Sequence, residues 1–212
     1  WKTYVGRPET DQVRGMAMNI LGNGLFEDRH FEDALSVREA NLAMLRRLGA
    51  REDDILAVQS NLAMTYRALG RDEEALALRR GVYSVCLKQF GEHEHTLLAA
   101  NNYAVSLIDL SRFEEVKSLM RKTMPVARRV LGDSHDYTLT MRKVYAETLY
   151  KADGASLDDL REAVATMEET APTARRILGG AHLITGGIEA ALQNARAALR
   201  ARETPSPPPG SA

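Results

Sequence analysis

One block of sequence recurs along this chain at a nearly constant interval. Each copy carries a large residue followed by a small one, at Leu21-Gly22, Leu62-Ala63, Tyr103-Ala104 and Tyr145-Ala146. The small residues are 41, 41 and 42 positions apart, and a second series follows twelve residues after the first three, at Ala34, Ala75 and Val116. Two series with one period indicate two elements per repeat. Because a unit of that size cannot bury its apolar side alone, the sequence predicts an array of stacked repeats.

The apolar residues within each repeat fall at helical spacing. In the second repeat, Leu62, Tyr66 and Leu69 lie on one side of a helix that Gly70 ends. Acidic residues open the next segment, where they stabilise the positive end of a helix dipole. The same pattern predicts four helix pairs and one final helix, at 13–26 with 30–47, 54–69 with 72–90, 95–110 with 113–131, 136–152 with 157–178, and 182–202.

The second repeat resembles a known family. The residues that carry the resemblance are Asn61-Leu62-Ala63, Tyr66, Gly70, Glu73-Glu74-Ala75-Leu76 and Phe90-Gly91. They are similar to a tetratricopeptide repeat of the kinesin-light-chain type, whose period is about 42 residues. The loops Gly132-x-x-His135-x-x-Thr138 and Gly179-x-x-His182-x-x-Thr185 match the Gly-x-x-His-Pro-x-Thr signature of that variant except at the proline, and residues 91–96 are a shortened form.

The resemblance and the period together predict the fold class and the order of domains. We expect an all-α, right-handed α-solenoid of tetratricopeptide-like helix pairs with a C-terminal capping helix. The predicted order is an N-terminal extension at 1–12, four repeats at 13–181, the capping helix at 182–202 and a disordered, Pro-rich tail at 203–212.

The charge balance and the single cysteine limit the classes of partner and the compartment. Lys and Arg (28) nearly balance Asp and Glu (29), which leaves a net charge of −1, whereas a nucleic-acid binder normally shows a basic excess. No run approaches the roughly 18 apolar residues of a membrane span. Cys86 cannot form an internal disulfide, so we expect an intracellular, cytoplasmic protein, with an incomplete N-terminus because the chain starts at Trp1.

The sequence shows no constellation that predicts catalysis, and we expect neither an enzyme nor a cofactor. Phosphate-binding loops, Gly-x-Ser-x-Gly and His-Glu-x-x-His are absent from it. His93-Glu94-His95 offers two metal-ligand side chains, but a structural site needs more. We interpret His93, His95, His135 and His182 as loop histidines that hydrogen-bond the backbone near the turn, and we expect no metal.

The first helices of the pairs carry the candidate binding residues, because in tetratricopeptide arrays these helices line the concave surface. The candidates are Asn19, Asn23, Asn61, Met64, Arg67, Asn101, Asn102, Lys143 and Glu147. The resemblance implies that Asn61 and Asn102 contact the backbone of an extended peptide, since an amide both donates and accepts. The other interpretation is that the asparagines bridge neighbouring helices.

The predicted function is a protein-interaction scaffold that binds an extended peptide or a partner helix in the concave groove. Two alternatives are a structural subunit that is bound through its convex face or edges, and a regulatory module of a longer polypeptide. The paired arginines at 46–47, 128–129 and 175–176 either form a basic stripe or complement the dipoles of the helices that they end. The sequence does not specify the oligomeric state.

Two prolines fall inside predicted helices. Pro125 and Pro172 each remove a backbone hydrogen bond, so we expect a bend or a restarted helix there. A hinge that changes the curvature of the array is the less favoured interpretation.

Overall fold

A computed structural model of the protein describes residues 12–204, and every regular element among them is an α-helix. The nine helices are α1 (Gln12–Glu27), α2 (Phe31–Arg47), α3 (Glu52–Ala68), α4 (Asp72–Phe90), α5 (Glu94–Asp109), α6 (Phe113–Val130), α7 (Asp136–Lys151), α8 (Leu157–Leu178) and α9 (Leu183–Glu203). We call α1, α3, α5 and α7 the A helices, and α2, α4, α6 and α8 the B helices.

The predicted helices agree with the observed ones to within two residues at almost every end. The final helix runs one residue beyond its predicted end, to Glu203. The N-terminal extension, apart from Gln12, and the predicted tail beyond residue 204 lie outside the described residues. The helices fall into two compact units, which divide between Gln89 and Phe90.

In the first unit, α1 packs against α2, α2 against α3, and α1 also touches α3. Its core contains Leu35, Leu42, Val58 and Leu62, and Leu78 of α4 packs against this cluster. In the second unit, α5 packs against α6 and α7, and α7 packs against α8 and α9. The B helices α6 and α8 also pack against the helices that follow them, α7 and α9. The same pattern of neighbours therefore recurs inside both units.

Both series of small residues are buried, as the stacking argument requires. Ala63, Ala104 and Ala146 of the A helices have no exposed surface, and Gly22 is buried. Ala34, Ala75 and Val116 of the B helices are at most 1% exposed. The helical phase predicted from the sequence is confirmed.

The Gly-His-Thr signature forms the connections that lead into α5, α7 and α9. Gly132 adopts φ +91°, which suits a residue without a Cβ. His135 then caps α7, because its Nδ1 accepts a hydrogen bond from the backbone N–H of Tyr137 at 3.2 Å. Thr138, three residues after His135, is buried. His93 and His182 cap α5 and α9 in the same way, so the interpretation as backbone acceptors is confirmed for these three histidines. It is wrong for His95, which lies inside α5 and donates its backbone N–H to His93.

The turn from an A helix to its B helix needs a left-handed residue. Arg29, Gly70 and Ser111 occupy equivalent positions 41 residues apart, with φ of 64°, 72° and 56°. In each turn the following N–H bonds back to a carbonyl five residues earlier, as with Arg112 N–H and the Leu107 carbonyl at 2.8 Å. Glycine adopts this conformation without a steric cost, whereas in Arg29 and Ser111 the Cβ atom raises its energy.

The helices run uninterrupted through both internal prolines. Pro125 lies inside α6 and Pro172 inside α8, so the predicted restart of the helix does not occur. Both residues are exposed.

Enlarging a buried small residue should destabilise the protein. Ala63→Leu forces three extra carbons into a close helix contact, and we expect a loss of about 1 to 3 kcal/mol in the free energy of unfolding, measured by urea denaturation. Ala57→Leu is the control, because Ala57 is an exposed residue of the same helix. Equal stability of the two variants would contradict the packing.

Replacing a strained turn residue with glycine should stabilise the protein. Ser111→Gly removes the Cβ penalty of a positive φ and should raise the free energy of unfolding by about 0.5 to 1 kcal/mol. Gly70→Ala, at the equivalent turn, should lower it. Thermal unfolding checks both changes, and shifts of the same sign would refute the argument.

Removing a histidine cap should also lower stability. His182→Ala deletes the acceptor of the Ile184 N–H, and loss of a cap costs about 0.5 to 2 kcal/mol. His182→Ser keeps a capping oxygen and should retain most of the stability in the same denaturation assay. If both variants unfold alike, the cap contributes nothing.

Candidate binding surface of the A helices

The first unit brings three of the candidate asparagines together. Asn61 of α3 donates through Nδ2 to the Oδ1 of Asn19 on α1 at 3.1 Å. Asn23 lies one helical turn after Asn19, on the same side of α1. Asn19 and Asn61 are half-buried, and Asn23 is exposed. We call these three residues the amide cluster.

A buried arginine lies behind the amide cluster. Arg38 of α2 donates through Nη2 to the Oδ1 of Asn23 at 2.9 Å and through Nη1 to the backbone carbonyl of Asn61 at 2.8 Å. The same Nη1 also donates to the hydroxyl of Thr65. The guanidinium lies 5.0 Å from the centre of the Phe26 ring. Burial lowers the pKa of Arg38 from its ordinary value.

Sequence reasoning missed Arg38, although a signal for it was present. Arg38 lies in helical phase with Ala34, Leu35 and Leu42 on the buried stripe of α2, and Arg79 lies 41 residues further on. A charged residue that recurs on a buried stripe indicates a polar contact inside the repeat.

The remaining candidates of the first unit lie on α3. Met64 is 44% exposed, and Arg67 is an exposed residue in the last turn of the helix. Ser60 and Met64 lie 41 residues after Asn19 and Asn23, so Met64 takes the place of Asn23 in the second repeat. The side chain of Met64 is available to a ligand, and its flexibility suits irregular apolar surfaces.

In the second unit, the equivalent surface has a different chemistry. Asn101 of α5 is half-buried, and its Oδ1 is buried without a hydrogen-bond partner among the described residues. Asn102, next to it, is also half-buried. On α7, Lys143 pairs with Glu147 at 3.1 Å, and Glu147 also meets Lys151 at 3.5 Å. A ligand of α7 would have to compete with these ion pairs.

The structure groups the candidate residues by unit. The amide cluster, Met64 and Arg67 belong to the first unit, whereas Asn101, Asn102, Lys143 and Glu147 belong to the second. Each of the two interpretations of the asparagines has support within the first unit, since Asn61 bridges two helices and still lies at the surface.

The paired arginines end the B helices and meet acidic residues nearby. Arg128 pairs with Asp133 at 2.7 Å, Arg129 with Glu92, and Arg175 with Glu189. Arg46 and Arg47 lie in the last turn of α2. Cations in these positions complement the helix dipoles, as one of the two interpretations stated.

A second concave feature of the first unit lies between the B helices α2 and α4. It has a volume of about 410 Å³. Its floor is apolar, with Leu42, Leu62 and Leu78, and its edge includes Glu39, whose carboxylate accepts a hydrogen bond from the Tyr66 hydroxyl at 2.8 Å. We call it the B-helix pocket.

Other potential chemistry is sparse in the described part of the chain. Between residues 12 and 204, no three His, Cys, Asp or Glu side chains converge as metal ligands would. Cys86 is buried, and burial raises the pKa of its thiol. No helix in this range is long and apolar enough to span a bilayer.

Comparison with known proteins agrees with this geometry. The family model of the tetratricopeptide repeat matches residues 55–94 and 96–137. No curated protein sequence matches the chain. A solved structure of Podosopora anserina kinesin light chain-like TPR-like repeats is 22% identical, over 90% of this chain and 89% of that one, with a TM-score of 0.72. A point variant with the same description gives a TM-score of 0.74.

Two further solved structures share the fold at lower identity. BtubC (BKLC) from P. vanneervenii is 16% identical, over 95% of this chain and 87% of that one, with a TM-score of 0.61. A Rap protein in complex with Competence and Sporulation Factor is 15% identical, over 90% of this chain and 54% of that one, with a TM-score of 0.54. The predicted all-α fold of tetratricopeptide-like helix pairs and the predicted resemblance to the kinesin-light-chain type are confirmed.

Proposed function

We propose that this chain of tetratricopeptide repeats is a protein-interaction scaffold that binds an extended segment of a partner protein along its A helices. Such repeats support a role in protein–protein interaction. The observation that favours the A helices is the amide cluster, because its polar groups reach the surface beside an exposed methionine.

The hydrogen bonds of the amide cluster leave further polar groups available to a ligand. Asn19 and Asn23 each use their oxygen, and no hydrogen bond occupies their Nδ2 among the described residues. Asn61 uses its Nδ2 and keeps its Oδ1. A peptide backbone presents alternating N–H and C=O groups, so it can match such a set of donors and acceptors regardless of its side chains.

One of the solved structures with this fold contains a bound partner, which agrees with an interaction role. The Rap protein was solved in complex with Competence and Sporulation Factor, and its helices superpose on most of this chain. The overall charge of −1 agrees with a protein partner better than with nucleic acid.

A peptide-display selection tests the proposal. A random peptide library displayed on phage is selected against the full chain, and the affinity of an enriched peptide is measured by isothermal titration calorimetry. We expect Asn23→Ala with Asn61→Ala to weaken binding by roughly 5-fold to 100-fold, because each lost hydrogen bond contributes about 0.5 to 1.5 kcal/mol. The melting temperature should change little.

The control is charge reversal at the ends of the B helices. Arg128→Glu with Arg129→Glu should leave the affinity unchanged, because these exposed residues pair with Asp133 and Glu92. If the arginine variant loses binding while the asparagine variant keeps it, the partner does not use the A helices. An asparagine variant that loses stability as much as affinity would assign those residues to helix packing.

The B-helix pocket favours a second candidate, in which a partner binds the opposite helices of the repeats. An apolar floor with an edge that contains Glu39, Glu74 and Arg46 suits an apolar side chain with a polar neighbour. Ala77→Trp would fill the pocket from an exposed position and block such a partner. Loss of binding in this variant, with the asparagine variant unaffected, would support the second candidate.

A further inference from the structure

Among residues 12–204, the hydrogen bonds of the buried cation Arg38 go only to neutral groups. Arg38 is 3% exposed, and its recorded hydrogen-bond partners are Asn23, Thr65 and the carbonyl of Asn61. Its Nε is buried without a partner among the described residues. Burying a guanidinium without a carboxylate costs free energy, so the contribution of Arg38 to packing does not explain its presence.

Two of the other three repeats fill the equivalent position without a charge. The B-helix positions that correspond to Arg38 hold Arg79, Met120 and Met167, at steps of 41, 41 and 47 residues. Met120 and Met167 are completely buried. An apolar side chain of similar length therefore suits this place in the repeat, so filling the space does not by itself require the guanidinium of Arg38.

A role for the guanidinium follows from the chemistry of the bond to Asn23. Arginine only donates hydrogen bonds, so Asn23 must turn its oxygen towards Arg38. The NH₂ group of Asn23 is then directed away from the guanidinium. Without such a neighbour, an exposed asparagine amide can rotate by 180° and offer either group to a ligand.

We propose that Arg38 is a positioning residue that fixes the Asn23 amide with its NH₂ group towards the ligand, so that this part of the surface selects a carbonyl oxygen of an extended peptide. The inference rests on the proposed function, since it specifies what one residue of the amide cluster recognises. Arg38 acts through Asn23 and does not touch the ligand.

Arg38→Met is the decisive variant, because methionine fills the same place in later repeats. Thr65 keeps a partner in this variant, since its hydroxyl also donates to the Asn61 carbonyl at 3.2 Å. We expect an unchanged or higher melting temperature. In full-length, ¹⁵N-labelled protein, the side-chain NH₂ of Asn23 should show a lower NMR order parameter. An equally ordered Asn23 in the variant would overturn the inference, whatever the ligand.

Binding of the peptide selected from the display library supplies the second readout. Arg38→Met and Asn23→Ala should each reduce the affinity about 2-fold to 10-fold, the equivalent of one hydrogen bond. The double variant should be no weaker than Asn23→Ala alone, because the arginine acts through the asparagine. Arg51→Gln is the matched charge control, since Arg51 is an exposed residue of the same unit, and it should leave the affinity unchanged.

The peptide itself tests which group Asn23 recognises. Replacing each peptide carbonyl in turn by a methylene group should reveal one position whose loss matters for the parent protein and not for Asn23→Ala. Additive losses in the double variant, or the absence of such a position, would overturn the inference while leaving the proposed function intact. If the library yields no binding peptide, the proposed function fails and so does the choice of a carbonyl, whereas the NMR result still decides whether Arg38 positions Asn23.

Discussion

The close approach of helices at the small residues is the constraint on which the other features depend. Ala63, Ala104 and Ala146 have no exposed surface, so no larger side chain fits without moving a neighbouring helix. Each A helix must therefore face inwards with the side that carries its small residue. This orientation determines which residues of the helix are exposed. Asn23 and Met64, one position after the small residue, are placed at the surface by that same orientation. Helix packing thus determines which side chains form the candidate binding surface.

Much of the fold could be predicted because its determinants repeat. The spacing of Gly22, Ala63 and Ala104 sets the period, and the residues Gly132 and Gly179 mark where helices end, since each adopts a positive φ. The capping role of the histidines could also be predicted, because an imidazole before a helix start has an N–H two residues away to accept from. These signals depend on residues that lie close together in the chain or recur at a fixed spacing, so a single sequence is enough to detect them.

The rest could not be predicted, for reasons that are equally physical. Arg29 and Ser111 adopt the left-handed conformation although neither is a glycine, because the turn geometry between two packed helices imposes it. The internal prolines leave α6 and α8 continuous, although a proline inside a helix removes one backbone hydrogen bond. The bonds from Arg38 to Asn23 and Asn61 cross 15 and 23 residues, and only the docking of three helices brings these groups together. A candidate site that depends on contacts between distant residues can be identified only from the three-dimensional structure.

The distances in sequence between bonded residues bear on how the chain reaches its folded state. The hydrogen bond between Asn19 and Asn61 spans 42 residues, as does the one between Arg161 and Glu203. Both separations are close to the length of one repeat, so the chain closes loops of about one repeat to form them and needs no longer ones. Proteins with such low contact order fold within microseconds to milliseconds, and their parts can open separately. The repeats thus favour rapid folding of the candidate binding surface. They also allow one helix pair to unfold locally while the others stay folded.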